Sequence, residues 1–101
     1  MVIKLEEYKI QNNFVMVNPR IMKDNTVTPR DKAIYLSLCG YMNRETRTCY
    51  PSQKKISDDT DLSISTVKRG LKSLENKEYI KIERRLDKNS GRSLSNLYFV
   101  L

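Results

Sequence analysis

The sequence predicts an α+β fold in which three main helices precede a C-terminal two-stranded β-hairpin. Three observations indicate this order. Apolar residues recur at helical spacing in two long stretches that begin at Pro29 and Ile64. A hydroxyl side chain suited to capping precedes each predicted helix, at Thr28, Ser52 and Ser63. After residue 78 the apolar residues change to alternate positions, which is typical of strands.

The segment before the first helix carries weaker signals. Residues 1–12 alternate apolar and charged side chains, which fits either a short strand or an arm, and Phe14–Val17 is the better strand candidate. Pro19 permits a helical turn to follow. We therefore predict an N-terminal arm or strand with a turn over residues 1–27 and one folded domain over residues 28–101.

The first main helix is predicted from its start signals and its apolar face. Thr28 is a suitable cap, Pro29 suits the first helical position, and Asp31 lies near the positive end of the helix dipole. The apolar face consists of Ala33, Ile34, Leu36, Leu38, Tyr41 and Met42. After an extended piece at residues 48–52, a short second helix is predicted with Ile56 as its main inward residue.

The third helix is predicted from Ser63 to about Asn76 or Lys77, and the hairpin follows it. The first strand has Tyr79 or Ile80 and then Ile82 as apolar positions, and residues 87–92, "DKNSGR", form the turn. The second strand is expected to close the hairpin through Leu94, Leu97, Phe99 and Leu101.

Composition narrows the class of function. Nineteen Lys and Arg against twelve Asp and Glu give a net charge of +7, which favours a polyanionic partner such as nucleic acid. The chain has two cysteines and no histidine, so we expect no metal site, no cofactor and no enzymatic activity. Neither an apolar signal segment nor a membrane-spanning stretch is present in the sequence, and we expect a soluble, cytoplasmic protein without a membrane partner.

The second and third helices, joined by a short turn, form a helix-turn-helix candidate. Projection at about 100° per residue places the apolar residues of the third helix on one face: Ile64, Val67, Leu71 and Leu74. The opposite face carries Ser65, Arg69, Lys72 and Asn76, with Lys68 at its margin. This face suits the major groove of DNA, and the alternative interpretation is a solvated basic helix face.

Each polar residue type suits a different part of a duplex. The Arg69 guanidinium can donate two hydrogen bonds to guanine, at O6 and N7, whereas Lys68 and Lys72 fit phosphates better. Ser63, Ser65 and Thr66 are short enough to let the helix start approach base edges or phosphates. At the second helix, Ser52, Gln53 and Lys54 mark a capped N-terminus that suits a phosphate, although Ser52 is needed as a cap in any case. Four basic residues lie on or beside the hairpin turn: Arg84, Arg85, Lys88 and Arg92. We expect them either to contact DNA or only to discourage aggregation between sheet edges.

Several motifs together carry a family resemblance. "YPSQ", "SISTVKRGLKSL" and a closing "NLY" resemble the winged-helix domain of RepA-type plasmid replication initiators, DnaD-like primosomal proteins and phage replisome organisers. The resemblance covers residues 28–100 and implies DNA contacts by Ser52, Gln53, residues 63–66, Lys68, Arg69 and Lys72, with residues 84–92 as the wing. Glu78 departs from the pattern, which favours glycine there. Either Glu78 is strained, or the helix ends differently, for example at Asn76.

Three classes of function follow from these patterns. The first is sequence-specific binding of double-stranded DNA, in replication initiation of a plasmid, phage or other mobile element or as a transcriptional regulator. Homodimerisation through Tyr8, Ile10 and Tyr41, and a partner in the replication or transcription machinery, would accompany it. The second is a protein-interaction module, for which the acidic residues 57–61 give some support. The third, an enzyme, is disfavoured because Cys49 has no imidazole base.

Overall fold

The computed structural model describes residues 16–101, and its elements follow the predicted order. The helices are α1 (Pro19–Lys23), α2 (Pro29–Tyr41), α3 (Gln53–Thr60) and α4 (Ile64–Asn76). The strands β1 (Thr48–Cys49), β2 (Ile80–Glu83) and β3 (Leu97–Val100) form one antiparallel sheet in the order β1-β3-β2. This is the predicted α+β, winged helix-turn-helix architecture, with β1 as an additional short strand on the hairpin.

The three predicted caps begin their helices by the same contact. The hydroxyl of Thr28 accepts a hydrogen bond from the Asp31 amide at 3.2 Å, and that of Ser52 from the Lys55 amide at 3.0 Å. Each bond satisfies an amide that the first turn of a helix leaves without a partner. Hydroxyl capping, which the sequence alone predicts, therefore sets where α2 and α3 start.

One core joins the helices to the sheet. It contains residues from α1, from the turn before α2 and from every later element except the wing turn: Ile21, Val27, Ile34, Tyr35, Leu38, Cys39, Cys49, Ile56, Val67, Leu71, Leu74, Tyr79, Ile80, Tyr98 and Val100. Gly70 allows α4 to approach α2, because a Cβ there would lie 2.3 Å from Cδ1 of Ile34. The core therefore fixes α4 against α2 at close range.

The buried face of α2 differs from the predicted one. Leu36 and Tyr41 are 45% and 40% exposed, and the core contains Tyr35 and Cys39 in their place. α2 carries apolar residues around much of its circumference, and it packs against α3, α4 and β3. Only the residues on the side facing those elements are buried, and periodicity could not show which side that is.

The predicted apolar positions of the second hairpin strand were also wrong. Tyr98 and Val100 are buried, whereas Leu94 and Leu101 are about half exposed. The register pairs Ile80 with Val100 and Ile82 with Tyr98. Since directly paired residues lie on the same face of a sheet, the inward residues of β2 place the even-numbered residues of β3 in the core.

The region before α2 is partly described. Met16 and Val17 form no strand, and the helical turn expected after Pro19 is α1. The Asn18 amide nitrogen donates to the Tyr35 hydroxyl at 3.2 Å. The rest of the predicted strand Phe14–Val17, the arm over residues 1–12 and the interface residues Tyr8 and Ile10 lie outside the described residues.

Candidate nucleic-acid interface

The turn between α3 and α4 fixes the two helices relative to each other. Asp61 adopts a left-handed conformation (φ 57°) immediately after α3. The Ser57 hydroxyl donates to the carbonyl oxygen of Leu62 at 2.5 Å, across the turn. A polar side chain that bonds the turn backbone removes an unsatisfied carbonyl and limits its conformations. The helix-turn-helix unit therefore holds α4 in a defined orientation.

The helix α4 separates an apolar from a basic face as predicted, except at its first residue. Val67, Leu71 and Leu74 are buried, but Ile64 is 42% exposed. Ile64 is the first residue of α4, and its position on the apolar stripe does not bury it. The opposite face is exposed at Ser65, Lys68, Arg69 and Lys72, so these four residues are brought together on one surface.

Hydroxyl groups at the start of α4 form a local network. The Ser63 hydroxyl accepts from the Thr66 amide at 3.2 Å and lies 2.9 Å from the Thr66 hydroxyl. The Arg69 guanidinium donates to that Thr66 hydroxyl at 3.3 Å. Ser63 and Thr66 thus position the Arg69 side chain towards the helix N-terminus, the end that enters the major groove in proteins of this architecture.

The N-terminus of α3 faces residues 93–96, directly after the wing, across a polar cleft. Ser52 is exposed and Gln53 is half-buried. The cleft has a volume of about 290 Å³, and short polar side chains dominate its lining: Ser52, Gln53, Ser93, Ser95 and Asn96, with Pro51, Leu94 and Tyr98. Hydroxyl and amide groups of this kind can donate to a phosphate oxygen. The structure therefore brings Ser52 and Gln53 close to the base of the wing.

The basic residues of the wing differ in their exposure to solvent and in their contacts within the domain. Arg84, Lys88 and Arg92 are exposed. Arg85 is half-buried, because its Nε donates to the Ser95 carbonyl at 2.9 Å and its guanidinium lies 5.6 Å from the Tyr50 ring centroid. Arg85 therefore joins the two sides of the wing, a structural contact that the basic run in the sequence does not reveal.

Charged residues on α3 have partners on the same helix or on α2. Lys54 forms an exposed ion pair with Asp58 at 3.5 Å, and the Tyr41 hydroxyl donates to Asp59. That hydrogen bond raises the pKa of Tyr41 above its ordinary value, so the phenol keeps its proton. Exposed ion pairs on a protein surface generally contribute about 0–1 kcal/mol to the free energy of unfolding. Asp58 and Asp59, two of the acidic residues that suggested a protein partner, therefore have partners within the domain.

Sequence reasoning gave Tyr50 no role in the candidate site, although it named the neighbouring Lys55 at the start of α3. Tyr50 is 67% exposed and lies directly before Pro51, at the entrance to α3. Lys55 Nζ lies 5.9 Å from the ring centroid of Tyr41. Strand alternation was the sequence signal for an exposed Tyr50: because Cys49 faces the core, the Tyr50 side chain that follows it faces outwards.

The two cysteines are free and buried. Burial, together with the neighbouring Cys39, raises the pKa of Cys49 to about 12, so this thiol keeps its proton at neutral pH. Among residues 16–101, no group of three or more cysteine or carboxylate side chains is arranged to hold a metal ion. No helix within the same range has the length and apolar character needed to cross a membrane.

Comparison with known proteins agrees with this geometry. The solved "Structure of Rep-DNA complex" matches with a TM-score of 0.62 at 14% sequence identity, over 100% of this chain and 83% of that one. At this identity the match shows a shared fold. No curated protein matches the sequence. A family model described as a helix-turn-helix domain matches residues 25–80, more than half of the chain. The chain therefore belongs to the helix-turn-helix domain family.

Proposed function

We propose that this protein binds double-stranded DNA in a sequence-specific manner, with α4 in the major groove. The observation that carries the proposal is the division of α4 into a buried stripe and an exposed row of Ser65, Arg69 and Lys72. Membership of the helix-turn-helix family and the fold shared with a Rep protein in complex with DNA support it.

The proposed contacts follow from the chemistry and exposure of each side chain. Arg69, aligned by Thr66, presents a planar guanidinium that matches the two acceptors of guanine. Lys68 and Lys72 have a point charge and flexible stems, which suit phosphates. Further phosphate contacts are proposed for the start of α4, the start of α3 and the wing, at Ser63, Ser65, Ser52, Gln53, Lys54, Arg84, Arg85, Lys88 and Arg92.

Two substitutions test the division between base and phosphate contacts. Arg69→Ala should weaken binding to the preferred site by about 1–3 kcal/mol and flatten the preference among sequences. Lys88→Ala should weaken binding to all duplexes alike and reduce the salt slope by about one unit. Fluorescence anisotropy titrations on the preferred and on random duplexes, at two salt concentrations, measure both effects.

The control for these titrations is Lys23→Ala. Lys23 is exposed at the end of α1, and it lies far along the chain from the residues of the proposed DNA surface. This substitution removes the same net charge as Lys88→Ala, so an equal loss for both variants would point to attraction by overall charge. Unchanged duplex binding by both Arg69→Ala and Lys88→Ala would contradict the groove-binding model.

The biological setting is a finer part of the proposal. We propose replication initiation of a plasmid, phage or other mobile element, with a replication or transcription machinery protein as partner and a cytoplasmic location. Transcriptional regulation by the same surface is the alternative. Selection of bound sequences from a random DNA pool tests this setting, since repeated sites fit an origin and a single palindrome fits an operator.

A homodimer is also proposed, because one module of this size buries little DNA-contact area. Its proposed interface combines the N-terminal arm with Tyr41, which is 40% exposed on α2. In the same proposal, residues 28–101 form the DNA-binding unit and residues 1–27 the arm, although Ile21 and Val27 pack into the core. A monomeric mass by light scattering at high micromolar concentration, free and on DNA, would rule out the dimer.

A further inference from the structure

A second surface, beside the proposed duplex surface, has the features of a small binding site. It is a cavity of about 320 Å³ lined by Tyr41, Tyr50, Pro51, Ser52 and Lys55, and we call it the tyrosine slot. Its volume lies at the lower end of the range of about 300–1,000 Å³ that is usual for ligand pockets. The slot adjoins the capped start of α3 through Ser52.

The two aromatic rings of the slot do not serve the core. Tyr50 is 67% exposed and Tyr41 is 40% exposed, whereas Tyr35, Tyr79 and Tyr98 are almost completely buried. Side-chain contacts hold both rings: the Tyr41 hydroxyl donates to Asp59, and the Arg85 guanidinium lies over the Tyr50 ring. A ring that is held in position and open to solvent loses little conformational entropy when a flat ligand stacks on it.

Each ring also has a cation beside it. Lys55 Nζ lies 5.9 Å from the Tyr41 centroid, and the Arg85 guanidinium carbon lies 5.6 Å from the Tyr50 centroid. The carboxylate of Asp59 lies next to the slot, where it accepts a hydrogen bond from the Tyr41 hydroxyl. That bond holds the carboxylate at the Tyr41 hydroxyl. Lys55 and Arg85 each lie over one face of a ring, and Arg85 is held by the Ser95 carbonyl. Because Tyr50 is 67% exposed, its other face and the Lys55 ammonium group are open to a ligand.

Aromatic faces next to cations match an unpaired nucleotide, which has a flat base and an anionic phosphate. Stacking on aromatic side chains and attraction to cations are the two contributions by which proteins hold single-stranded nucleic acid. A paired base inside a duplex has both faces covered by its neighbours and cannot stack on either ring. We propose that the tyrosine slot binds an unpaired base of single-stranded DNA, next to the proposed duplex surface. The stacking ring is Tyr50, because Tyr41 also belongs to the proposed dimer interface.

The proposal rests on the proposed function in that the neighbouring surface brings DNA to the slot. The direct test is the binding of a fluorescein-labelled oligo(dT) of about twelve nucleotides, a length within the site sizes of about 4–16 nucleotides seen for single-strand binding domains. Tyr50→Ala should weaken this binding about 5- to 150-fold, which corresponds to the loss of one stacked base. Tyr50→Phe keeps the ring and should bind as the unchanged protein does.

Salt dependence separates stacking from attraction by charge. Lys55→Ala should reduce the salt slope for oligo(dT) by about 0.7, the contribution of one phosphate on a single strand. Tyr50→Ala should leave the slope unchanged, because no charge is lost. Met22→Ala is the matched control, since it truncates another exposed apolar side chain, 57% exposed, outside the slot.

The outcomes also separate this proposal from the proposed function. Arg69→Ala should weaken duplex binding and spare oligo(dT), and Tyr50→Ala should do the reverse. If oligo(dT) does not bind, or if Tyr50→Ala leaves its affinity unchanged, the slot proposal is overturned while duplex binding stands. Equal losses on duplex and on oligo(dT) would also overturn it, because they would make Tyr50 part of the duplex interface. Failure of the proposed function would instead appear as absent duplex binding.

Discussion

At the scale of single residues, Glu78 shows how α4 ends. It adopts φ 63°, in the left-handed region. Its amide nitrogen donates to the Glu75 carbonyl at 3.0 Å, and the Tyr79 amide donates to the Leu74 carbonyl at 3.0 Å. These two bonds, with buried Leu74 and Tyr79, form a Schellman motif. The sequence allowed two endings for α4. The observed ending places Glu78 in the left-handed conformation, and Asn76 is the last residue of the helix.

Replacing Glu78 with glycine should therefore leave stability unchanged or raise it. A non-glycine residue in the left-handed conformation costs about 1 kcal/mol, and the greater freedom of glycine in the unfolded chain offsets part of the gain. For a domain of this size a gain of about 1 kcal/mol raises Tm by about 4–8 °C. Thermal unfolding followed by circular dichroism measures the change. Glu78→Ala, which keeps the strain and removes the carboxylate, is the control, and a clear fall in Tm for glycine would contradict the left-handed ending.

The two helical glycines should respond in opposite ways to a methyl group. At Gly70 a Cβ would lie 2.3 Å from Ile34 Cδ1 and 2.8 Å from Asp31 Oδ1, so Gly70→Ala should lower the free energy of unfolding by about 1–3 kcal/mol. At Gly40 nothing lies within 4 Å, so Gly40→Ala should raise it by up to about 1 kcal/mol. Urea denaturation measures both. Equal effects of the two substitutions would show that α2 and α4 are not in close contact at Gly70.

At the scale of elements, local signals predicted most of the fold. Thr28, Ser52 and Ser63 cap the three main helices as expected, because a hydroxyl and the next amides are all the chemistry that a cap requires. The buried stripe of α4 was predicted apart from Ile64, since its apolar residues occupy a single side. Local physics was sufficient wherever one short segment contained all the interacting groups.

Other features depend on contacts that are distant along the chain. The inward residues of β3 follow from its pairing with β2, and the exposed Leu36 and Tyr41 follow from where α3 and α4 pack on α2. For the candidate site, the sequence identified the exposed basic row of α4 but not the contact of Arg85 with Tyr50. That contact joins residues 35 positions apart and has no periodic signal.

At the scale of the whole molecule, one cluster ties the chain before α2 to the exit of α4. The Tyr79 hydroxyl donates to Asp24 at 2.6 Å, and the Arg20 guanidinium lies 4.7 Å from the Tyr79 ring centroid. Lys77 Nζ donates to the Thr26 carbonyl at 2.6 Å. Because β2 begins directly after Tyr79, this cluster also sets where the wing leaves the helical part of the molecule.

The cluster predicts how stability depends on pH. Hydrogen bonds from Thr26 and then Tyr79 lower the pKa of Asp24 to about 2, from 3.8. A lowered folded-state pKa stabilises the protein above about pH 4, and this contribution is lost as the pH falls towards 2. Asp24→Asn should therefore lower Tm at pH 6, and the difference from the unchanged protein should shrink between pH 4 and pH 2. Tyr79→Phe keeps the buried ring and removes one donor, so it should show a smaller difference with the same trend. If the difference in Tm between Asp24→Asn and the unchanged protein stays constant from pH 6 to pH 2, Asp24 stabilises the fold through its shape and not through its charge.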